Sequence, residues 1–324
     1  MGTSTRVRLR LLFAALGATI ALGIPATAGA ATVVNGDFET GSLTGWQHFD
    51  SATGEGPGGD TWYAYSGSVP PGPTELTVSP PPGGSFAAVT SQGGPGLHIL
   101  YQDVALEPYF SHQLSLFAYY RSADSIFAPQ SFDFQGEPNQ QYRIDVINPA
   151  APVDSLNTTD ILATVFATKT GDPETLAPTT FTADLTPFAG QIVRLRFAEV
   201  DNEGFFAAST DSVAIVSTPP SNVIALNKPI FNKKKGTAKL PVAVPGAGTL
   251  TIADVKQTKK RVKAKTLSAT TAGVLNLPVK PTKSARKTLA NKGKLKLKVA
   301  VTFTPTGGLA ATTTRRLTLK LAPK

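Results

Sequence analysis

Cysteine is absent from the 324-residue sequence. This absence excludes disulfide bonds, thiolate zinc sites, iron–sulfur clusters and cysteine nucleophiles. If the protein is exported, its fold must therefore be stabilised by its hydrophobic core or by a bound metal. Beyond residue 30 the sequence also lacks any apolar run long enough to cross a bilayer, so no further membrane span is expected.

Catalytic motifs are also scarce. The only histidines, His48, His98 and His112, are isolated and lack metal-ligand spacing such as H-E-x-x-H. The sequence has no G-x-S-x-G nucleophile elbow and no phosphate-binding loop. We therefore predict a protein that is not an enzyme. Glycoside hydrolysis stays open as an alternative, because it needs only two facing carboxylates and acidic residues are plentiful.

Charges of opposite sign are segregated along the chain. Residues 31–221 contain 5 Lys plus Arg and 21 Asp plus Glu, a balance of −16. Residues 222–324 contain 23 Lys plus Arg and a single acid, Asp254, a balance of +22. The composition changes at "STPPSN" (217–222), whose prolines and small polar residues are typical of a linker. We predict an acidic domain at residues 31–218 and a basic domain at residues 219–324.

The first thirty residues have the pattern of a secretory signal peptide. Three arginines, Arg6, Arg8 and Arg10, precede an apolar run at residues 11–24, and "AGA" (28–30) offers a small-residue cleavage site. The alternative is an uncleaved anchor, for which the apolar run is short. We predict cleavage after residue 30 and a secreted protein, held to the cell envelope at most loosely by charge.

The acidic region has the pattern of β-strands. Strand-like segments cover residues 97–106, 112–120, 141–147, 192–200 and 211–216. In "IVRLRFAEV" the apolar residues Val193, Leu195 and Phe197 share one face, and Arg194 and Arg196 share the other. This period of two is typical of a half-buried strand. Gly- and Pro-rich segments separate the strands, so we predict a β-sandwich or jelly roll.

The basic region also has the pattern of strands. In "KLKLKVAVTF" (294–303) the apolar residues alternate with Lys294, Lys296 and Lys298, and "RRLTLKL" (315–321) repeats the pattern, which predicts a hairpin. One short helix is expected in "TKSARKTLANKG", capped by Thr282 and ended near Gly293. A smaller immunoglobulin-like β-sandwich fits this length and pattern. The predicted fold class is therefore all-β throughout.

The stretch "NGDFETGSLTGW" (35–46) places two large aromatics, Phe38 and Trp46, among turn-forming residues. It resembles the opening motif of bacterial secreted jelly-roll modules of the galactose-binding-like, carbohydrate-binding-module type. The resemblance covers about residues 33–216 and ends in "STDSVAIV". It implies a jelly roll that recognises a carbohydrate or surface ligand, although this superfold hosts many functions. We expect Phe38 and Trp46 to be core anchors.

The same resemblance implies a structural calcium ion. In modules of this type, the glutamate after the motif phenylalanine and an aspartate of the last strand often hold Ca²⁺ together with backbone carbonyls. Those positions are Glu39 and Asp211 in this sequence. Ser212 stands where the family often has a second acid. The alternative is a pair of solvated or hydrogen-bonded carboxylates.

Two aromatic clusters are candidates for sugar binding, since flat rings stack on the C–H faces of sugars. The candidate residues are Trp62, Tyr63, Tyr65, Tyr119, Tyr120 and Arg121. Strand alternation predicts that one member of each cluster belongs to the core. Phe205 and Phe206 in "EGFF" are expected to be buried near the final strand.

The expected partner is a glycan or another cell-envelope polymer. The basic domain is suited to an anionic cell-wall polymer, acidic polysaccharide or anionic lipid headgroups, or to no partner at all. The basic domain is not expected to bind nucleic acid specifically. Its only aromatic residues are Phe231 and Phe303, and stacking on bases requires more aromatic side chains. The two oppositely charged domains could also attract each other. The runner-up function is a structural or adhesion protein without sugar specificity.

Overall fold

The computed structural model describes residues 31–52, 61–71, 76–256, 258 and 260–322. The predicted signal peptide, residues 1–30, lies outside these ranges. The described chain is almost entirely β, which confirms the predicted fold class. Within the described ranges, no helix combines the length and apolar character needed to cross a membrane.

In the described part of the chain, ten strands lie before residue 219. They are β1 (Gln47–Ala52), β2 (Thr61–Tyr65), β3 (Ala87–Ser91), β4 (Gly96–Ala105), β5 (Ser111–Ser122), β6 (Gln141–Ile147), β7 (Ile161–Ala167), β8 (Thr175–Asp184), β9 (Ile192–Asp201) and β10 (Phe206–Thr218). A single 3₁₀ turn at Thr186–Phe188 joins β8 to β9. The strands form two five-stranded sheets, ordered β1-β4-β9-β6-β7 and β2-β3-β10-β5-β8. This is a β-sandwich.

The core of this sandwich follows the period-two pattern of the sequence. Val193, Leu195 and Phe197 on β9 are buried in one hydrophobic cluster with residues of both sheets. Phe38 and Trp46 join the same cluster, with their ring centroids 5.5 Å apart and stacked. Both are buried, so the prediction that they are core anchors is confirmed.

The opening segment uses unusual backbone angles to place Phe38. Phe38 has φ +56° and Asn35 has φ +50°, so two non-glycine residues adopt the left-handed region. Such angles cost about 1–3 kcal/mol each. Burial of the Phe38 ring offsets a comparable amount. The Asn35 side chain also stabilises the turn, since its Nδ2 donates to the carbonyls of Ser42 at 2.8 Å and Thr44 at 3.1 Å.

The outer face of β9 differs from the sequence expectation. Arg196, predicted to lie on the face opposite the core, is fully buried beside the fully buried Asp145 of β6. Its Nη2 donates to Asp145 Oδ2 at 2.6 Å, and Arg143 Nε donates to the same oxygen at 2.7 Å. Its Nη1 donates to the carbonyls of Val153 at 2.9 Å and Ser155 at 2.6 Å. The segment between β6 and β7 therefore covers this face.

The buried cluster keeps Asp145 ionised. Burial raises the pKa of Asp145, but its hydrogen bonds and charge interactions with Arg143 and Arg196 outweigh burial, so the pKa lies below its ordinary value. Arg194, on the same face, is more accessible and pairs with Asp103 of β4 at 2.6 Å. The acidic region thus uses three of its four arginines in ion pairs within the fold.

Among the described residues after 218, the chain forms eight strands and one helix. They are β11 (Ala225–Leu226), β12 (Ile230–Asn232), β13 (Thr237–Val244), β14 (Gly248–Asp254), β15 (Lys265–Ala269), β16 (Gly273–Val279), α1 (Lys283–Lys292), β17 (Lys294–Pro305) and β18 (Ala311–Lys320). One sheet has β13 paired with β11, β12 and β16, and the other has the order β15-β14-β17-β18. A hydrophobic cluster drawn only from this region lies in its core.

The local predictions for the basic region are confirmed. Thr282 caps α1, accepting the Ala285 N–H at 3.4 Å, and Gly293 ends it with φ +64°. Strands β17 and β18 pair as the predicted hairpin. The apolar residues of β17 are buried and its lysines are exposed. The immunoglobulin-like assignment and the boundary at residue 218 remain predictions.

Candidate functional site

The predicted calcium ligands lie at one loop. Glu39 Oε1 accepts the N–H groups of Ser85 and Phe86, each at 2.8 Å. Asp211 Oδ2 accepts the N–H of Gly83 at 2.9 Å. The structure therefore brings both carboxylates against the same short segment, 83–86, which precedes β3. We call Glu39 and Asp211 the carboxylate pair.

A β-bulge in β10 positions Asp211. The pairing of β10 with β5 shifts between Asp211 and Ala214, and Ser212 has φ +51°. The Ser212 N–H donates to Asp211 Oδ1 at 2.5 Å, and the Val213 N–H donates to the Gly36 carbonyl at 2.8 Å. The bulge thus attaches β10 to the opening segment, and bulges commonly redirect side chains in this way.

The carboxylate pair concentrates negative charge. Burial raises the pKa of Asp211 to about 6, and the charge of Glu39 adds to that rise, although the N–H groups of Gly83 and Ser212 oppose it. Neither carboxylate has an ion pair with a basic side chain of the described chain. Two acids are therefore held together without a neighbouring cation to balance them.

The residues present fit a hard cation. Calcium binds carboxylate and carbonyl oxygens, and this pair supplies two carboxylates at one loop. The described residues contain no cluster of three or more Asp, Glu, His or Cys suited to a metal, so backbone oxygens and water would have to complete the shell. The contacts that the structure shows are those of hydrogen-bonded carboxylates, the alternative interpretation of the sequence.

A glycine in the supporting loop was missed as part of this site. Gly84 has φ +63°, and a Cβ there would collide with the Glu39 carboxylate. Only glycine fits both the angle and the close approach. The signal in the sequence is the pair of glycines in "PPPGGSF" (80–86).

Burial corrects most of the predicted sugar-binding aromatics. Trp62, Tyr65, Tyr119 and Tyr120 are only 2%, 2%, 1% and 4% exposed. Trp62 and Tyr120 belong to the main core between the sheets. Tyr65 and Tyr119 pack in a second cluster. None of the four presents a flat face to solvent, so they are core residues and no longer candidates for stacking on a ligand.

The hydroxyl and indole groups of these residues are satisfied internally. Tyr65 Oη lies 2.7 Å from Tyr119 Oη and donates to the Ser79 carbonyl at 2.6 Å. Tyr120 Oη donates to the Pro173 carbonyl at 2.8 Å. Burial raises the pKa of Tyr65 and of Tyr120 to about 12 in each case. These polar atoms fix the fold and are not available to a ligand.

Tyr63 and Arg121 retain surface exposure but do not converge. Tyr63 is half-buried on β2, and Arg121 is exposed near the end of β5, where its Nη1 donates to Thr77 Oγ1 at 2.9 Å. Strands β3 and β10 lie between β2 and β5, so the strands that carry Tyr63 and Arg121 are about 14 Å apart at the usual strand spacing. They do not form one sugar-sized site.

A pocket at one end of the sandwich offers a different candidate, which we call the loop-end pocket. Its volume is about 340 Å³. It is lined by Gly93, Gly94, Pro95, Ala123, Asp201, Asn202, Glu203, Gly204 and Phe205. These residues come from the β3–β4 turn, the end of β5 and the β9–β10 turn. Three turns at the same end of a rigid sandwich therefore form the pocket wall.

Phe205 gives this pocket an aromatic surface. It is 44% exposed, whereas Phe206 is fully buried. The expectation that both are buried is therefore wrong for Phe205. Strand β10 begins at Phe206, whose ring enters the core, so the preceding residue stays at the rim.

Buried amides hold the β9–β10 turn in place. Gln140 Nε2 donates to the Gly204 carbonyl at 2.8 Å, and Gln140 Oε1 accepts the Glu203 N–H at 3.4 Å. The Ala123 N–H donates to the Phe205 carbonyl at 2.8 Å. The turn is thus tied to neighbouring strands, and a pre-organised loop loses less entropy on binding.

The chemistry of the loop-end pocket suits neutral hydroxyl groups. Glu203 contributes an exposed carboxylate that accepts hydrogen bonds, and Phe205 contributes an apolar ring. Asp201 also lines the pocket, but it is only 2% exposed and contributes mainly its negative charge. Among the described residues that line the pocket, there is no lysine, arginine or histidine. An anionic ligand would meet two acids with no cation to balance it. A polyol with C–H faces is the better match.

Two histidines that are isolated in the sequence meet near this end of the first sheet. His48 Nδ1 lies 2.5 Å from Asp50 Oδ2, and the fully buried His98 has its Nδ1 2.6 Å from Asp50 Oδ1. Burial raises the pKa of Asp50, but the hydrogen bonds from His98 and His48 outweigh it and lower the pKa. A Cβ on Gly96 would lie 2.8 Å from His98 Nε2, so only glycine leaves room for this ring.

No protein-family model matches the chain, and no curated protein matches it. Solved structures match over part of it. TmCBM61 in complex with β-1,4-galactotriose is 11% identical and covers 56% of this chain and 95% of its own, with a TM-score of 0.35. The K3 cleaved adhesin domain of Lys-gingipain from Porphyromonas gingivalis W83 is 15% identical and covers 57% and 97%, with a TM-score of 0.34.

A third match is the enzymatically active domain of bacteriophage CBA120 tailspike protein 4. It is 13% identical, with a TM-score of 0.33, and 58% of this chain aligns with 21% of that one. This chain therefore spans only about a fifth of the tailspike domain. At such low TM-scores these similarities carry no argument about function. The β-sandwich is established by the strands and sheets themselves.

Proposed function

We propose that the protein is a secreted, non-catalytic binding protein that recognises a carbohydrate through the loop-end pocket. The observation that carries this proposal is the exposed Phe205 ring in a pocket that the exposed Glu203 also lines. An aromatic face with hydrogen-bond acceptors at its edge is the usual chemistry of a sugar site. Absence of basic lining residues favours a neutral sugar over an acidic one.

In the same proposal, the carboxylate pair holds a structural calcium ion. Glu39 and Asp211 would bind it with backbone oxygens of neighbouring residues. Burial and, to a lesser degree, the charge of Glu39 raise the pKa of Asp211, and a bound cation would offset both by favouring the ionised carboxylate. Since the pair joins the opening segment to β10, calcium would stabilise the sandwich and would not contact the sugar.

The basic region acts as an envelope anchor or spacer. Its excess of positive charge is suited to anionic cell-wall polymers, and the signal-peptide pattern of residues 1–30 supports export. A neutral sugar held by one region and an anionic polymer held by the other would keep the protein at the cell surface.

Retention of the full-length mature protein on a panel of neutral insoluble polysaccharides tests the sugar-binding proposal. We expect selective retention on at least one polymer, and Phe205→Ala should reduce it at least tenfold. The matched control is Phe231→Ala, which removes a ring of similar exposure (46%) in the basic region. Retention that both variants keep would contradict the pocket. Retention on no polymer would favour the structural or adhesion alternative.

Calcium binding has a separate readout. We expect the thermal unfolding temperature to rise when Ca²⁺ replaces chelator. A ligand at one hundred times its Kd stabilises the native state by about 2.7 kcal/mol. Glu39→Gln and Asp211→Asn should each abolish this response, whereas Asp37→Asn, an acid in the same exposed segment, should keep it. An unchanged unfolding temperature for the unsubstituted protein would contradict the calcium proposal.

Glycoside hydrolysis is the second candidate function. One observation favours it: Asp201 and Glu203 line the same pocket, and two carboxylates across a sugar are the machinery of most glycosidases. Release of reducing sugar from any polymer that the protein retains would support hydrolysis. The release should disappear in both Asp201→Asn and Glu203→Gln. Retention without release supports the non-catalytic proposal.

A further inference from the structure

We infer that a groove on the basic region binds the phosphate groups of a polymer that carries no nucleobases. The groove is lined by Lys256, Arg261, Lys296, Leu297, Lys298 and Arg316 and has a volume of about 360 Å³. We call it the basic groove. This inference deepens the proposed anchoring role and rests on it, but it is independent of the loop-end pocket.

The strand register places like charges opposite each other in this groove. Lys298 on β17 pairs directly with Arg316 on β18, and Lys296 lies on the same outward face of β17. Like charges directly opposite on one sheet face destabilise the pairing. A bound anion between them would remove that cost. The fold thus keeps an arrangement that is unfavourable on its own and favourable with an anionic ligand.

The single acid of this region does not neutralise the groove. Asp254 is buried at the end of β14, where its Oδ1 accepts the Lys256 N–H at 2.9 Å. Its Oδ2 accepts the N–H groups of Arg261 at 2.7 Å and Val262 at 3.2 Å. The carboxylate is therefore directed at the backbone. It fixes the segment that brings Lys256 and Arg261 to the groove.

The cations of the groove are positioned but unpaired. Arg261 Nη1 donates to the Lys296 carbonyl at 3.3 Å, which holds the arginine against β17. In the described part of residues 222–322, no lysine or arginine forms an ion pair. Five positive side chains therefore face one groove without a protein anion. Arginine and lysine together are suited to phosphate, which accepts several charge-assisted hydrogen bonds.

The groove offers nothing to a nucleobase. None of the described residues that line it is aromatic. Phe303 is fully buried, and the exposed Phe231 lines a different pocket. Binders of single-stranded nucleic acid gain affinity by stacking bases on aromatic rings. The contacts in this groove would therefore be made to phosphate alone.

The test uses full-length mature protein and a fluorescent poly(glycerol phosphate) probe. We expect Lys298→Ser/Arg316→Ser to raise Kd at least tenfold. The matched control, Lys233→Ser/Lys234→Ser, removes the same charge from exposed lysines outside the groove and should raise Kd less than threefold. The slope of log Kd against log salt should fall by about 1–2 in the groove variant only, since each phosphate contact contributes roughly 0.7–0.9.

Three outcomes would overturn the inference. The first is no binding of the probe at low salt. The second is equal weakening by the two double variants, which would mean diffuse charge attraction without a site. The third is tighter binding of nucleic acid: a single-stranded oligonucleotide of equal charge would bind over tenfold more tightly than the poly(glycerol phosphate) probe.

Further controls separate folding and the two proposals. If the double variant is not folded by thermal unfolding, Lys256→Ser replaces it and should raise Kd at least threefold. An unchanged Kd in that variant counts against the groove. Retention on neutral polysaccharide should be the same in all these variants. A loss of phosphate binding with retained sugar binding therefore concerns only the basic groove.

Discussion

Positive charge has different surroundings in the two regions of this protein. In the acidic region, Arg143, Arg194 and Arg196 each pair with a carboxylate, and Arg196 is fully buried. In the basic region, Lys298 and Arg316 are exposed, unpaired and opposite one another. The first set of charges is satisfied within the fold, whereas the second is left for an external anion.

This difference indicates which charges serve stability and which serve binding. Removal of one partner of a buried ion pair strongly destabilises the fold, because the remaining buried charge is uncompensated. An exposed cation costs little to keep and little to lose. Substitutions in the acidic region should therefore alter unfolding, and substitutions in the basic region should alter binding.

The largest expected effect is on the buried pair. Arg196→Met should lower the free energy of unfolding by about 3–5 kcal/mol, because Asp145 loses one of its two cationic partners inside the fold. The control is Arg194→Met on the same strand, whose ion pair with Asp103 is more accessible and should contribute less than about 1 kcal/mol. Urea unfolding of the two variants measures both. Equal losses would remove the contrast between buried and exposed charge.

Acid should expose the same dependence. The folded-state pKa of Asp145 lies below its ordinary value of 3.8. Its contribution to stability is therefore complete above pH 3.8 and is lost as the pH falls through the folded-state pKa. We expect the free energy of unfolding to decrease as the pH is lowered from about 4. Asp145→Asn should make this decline shallower, although Asp50, whose pKa is also lowered, keeps part of it. If the decline were equally steep in Asp145→Asn, ionised Asp145 would not be the source of this stability.

The smallest effect is expected in the basic groove. Lys298→Ser should raise the free energy of unfolding by about 0.2–1 kcal/mol, since it removes a like-charge pair across β17 and β18. Salt should shrink this gain because both charges are exposed. Lys234→Ser, in an exposed turn, serves as the control and should change nothing. Destabilisation by Lys298→Ser at low salt would show that the pairing is not unfavourable.

The sequence predicted the parts of the fold that depend on local periodicity. Val193, Leu195 and Phe197 alternate with polar residues, and the structure places all of them in the core. Thr282 and Gly293 bound a helix because capping chemistry is local. Glu39 and Asp211, far apart in sequence, could be paired only through the family resemblance.

Side-chain environments that depend on distant segments were not predictable. Arg196 is buried because the segment between β6 and β7 covers it, and alternation within β9 contains no sign of that cover. Tyr65 and Tyr119 are enclosed by residues of another segment for the same reason. Whether Phe205 or Phe206 is the buried residue depends on the exact residue at which β10 begins. A shift of one residue would reverse which ring is buried, and the sequence pattern does not fix that residue.

The contrast between the two regions is tested most directly by one salt titration with two readouts. Thermal unfolding and binding of poly(glycerol phosphate) are measured on the same full-length protein between about 50 mM and about 200 mM salt. Phosphate affinity should fall about 100- to 500-fold if the five groove cations contact phosphate. The unfolding temperature should change much less, because buried pairs are screened little and the repulsion between exposed Lys298 and Arg316 that salt removes is worth only about 0.2–1 kcal/mol. Two results would contradict the claim that the charges of the acidic region stabilise the fold and those of the basic groove bind an anion. One is a phosphate affinity that does not depend on salt, and the other is an unfolding temperature that depends on salt as strongly as the affinity does.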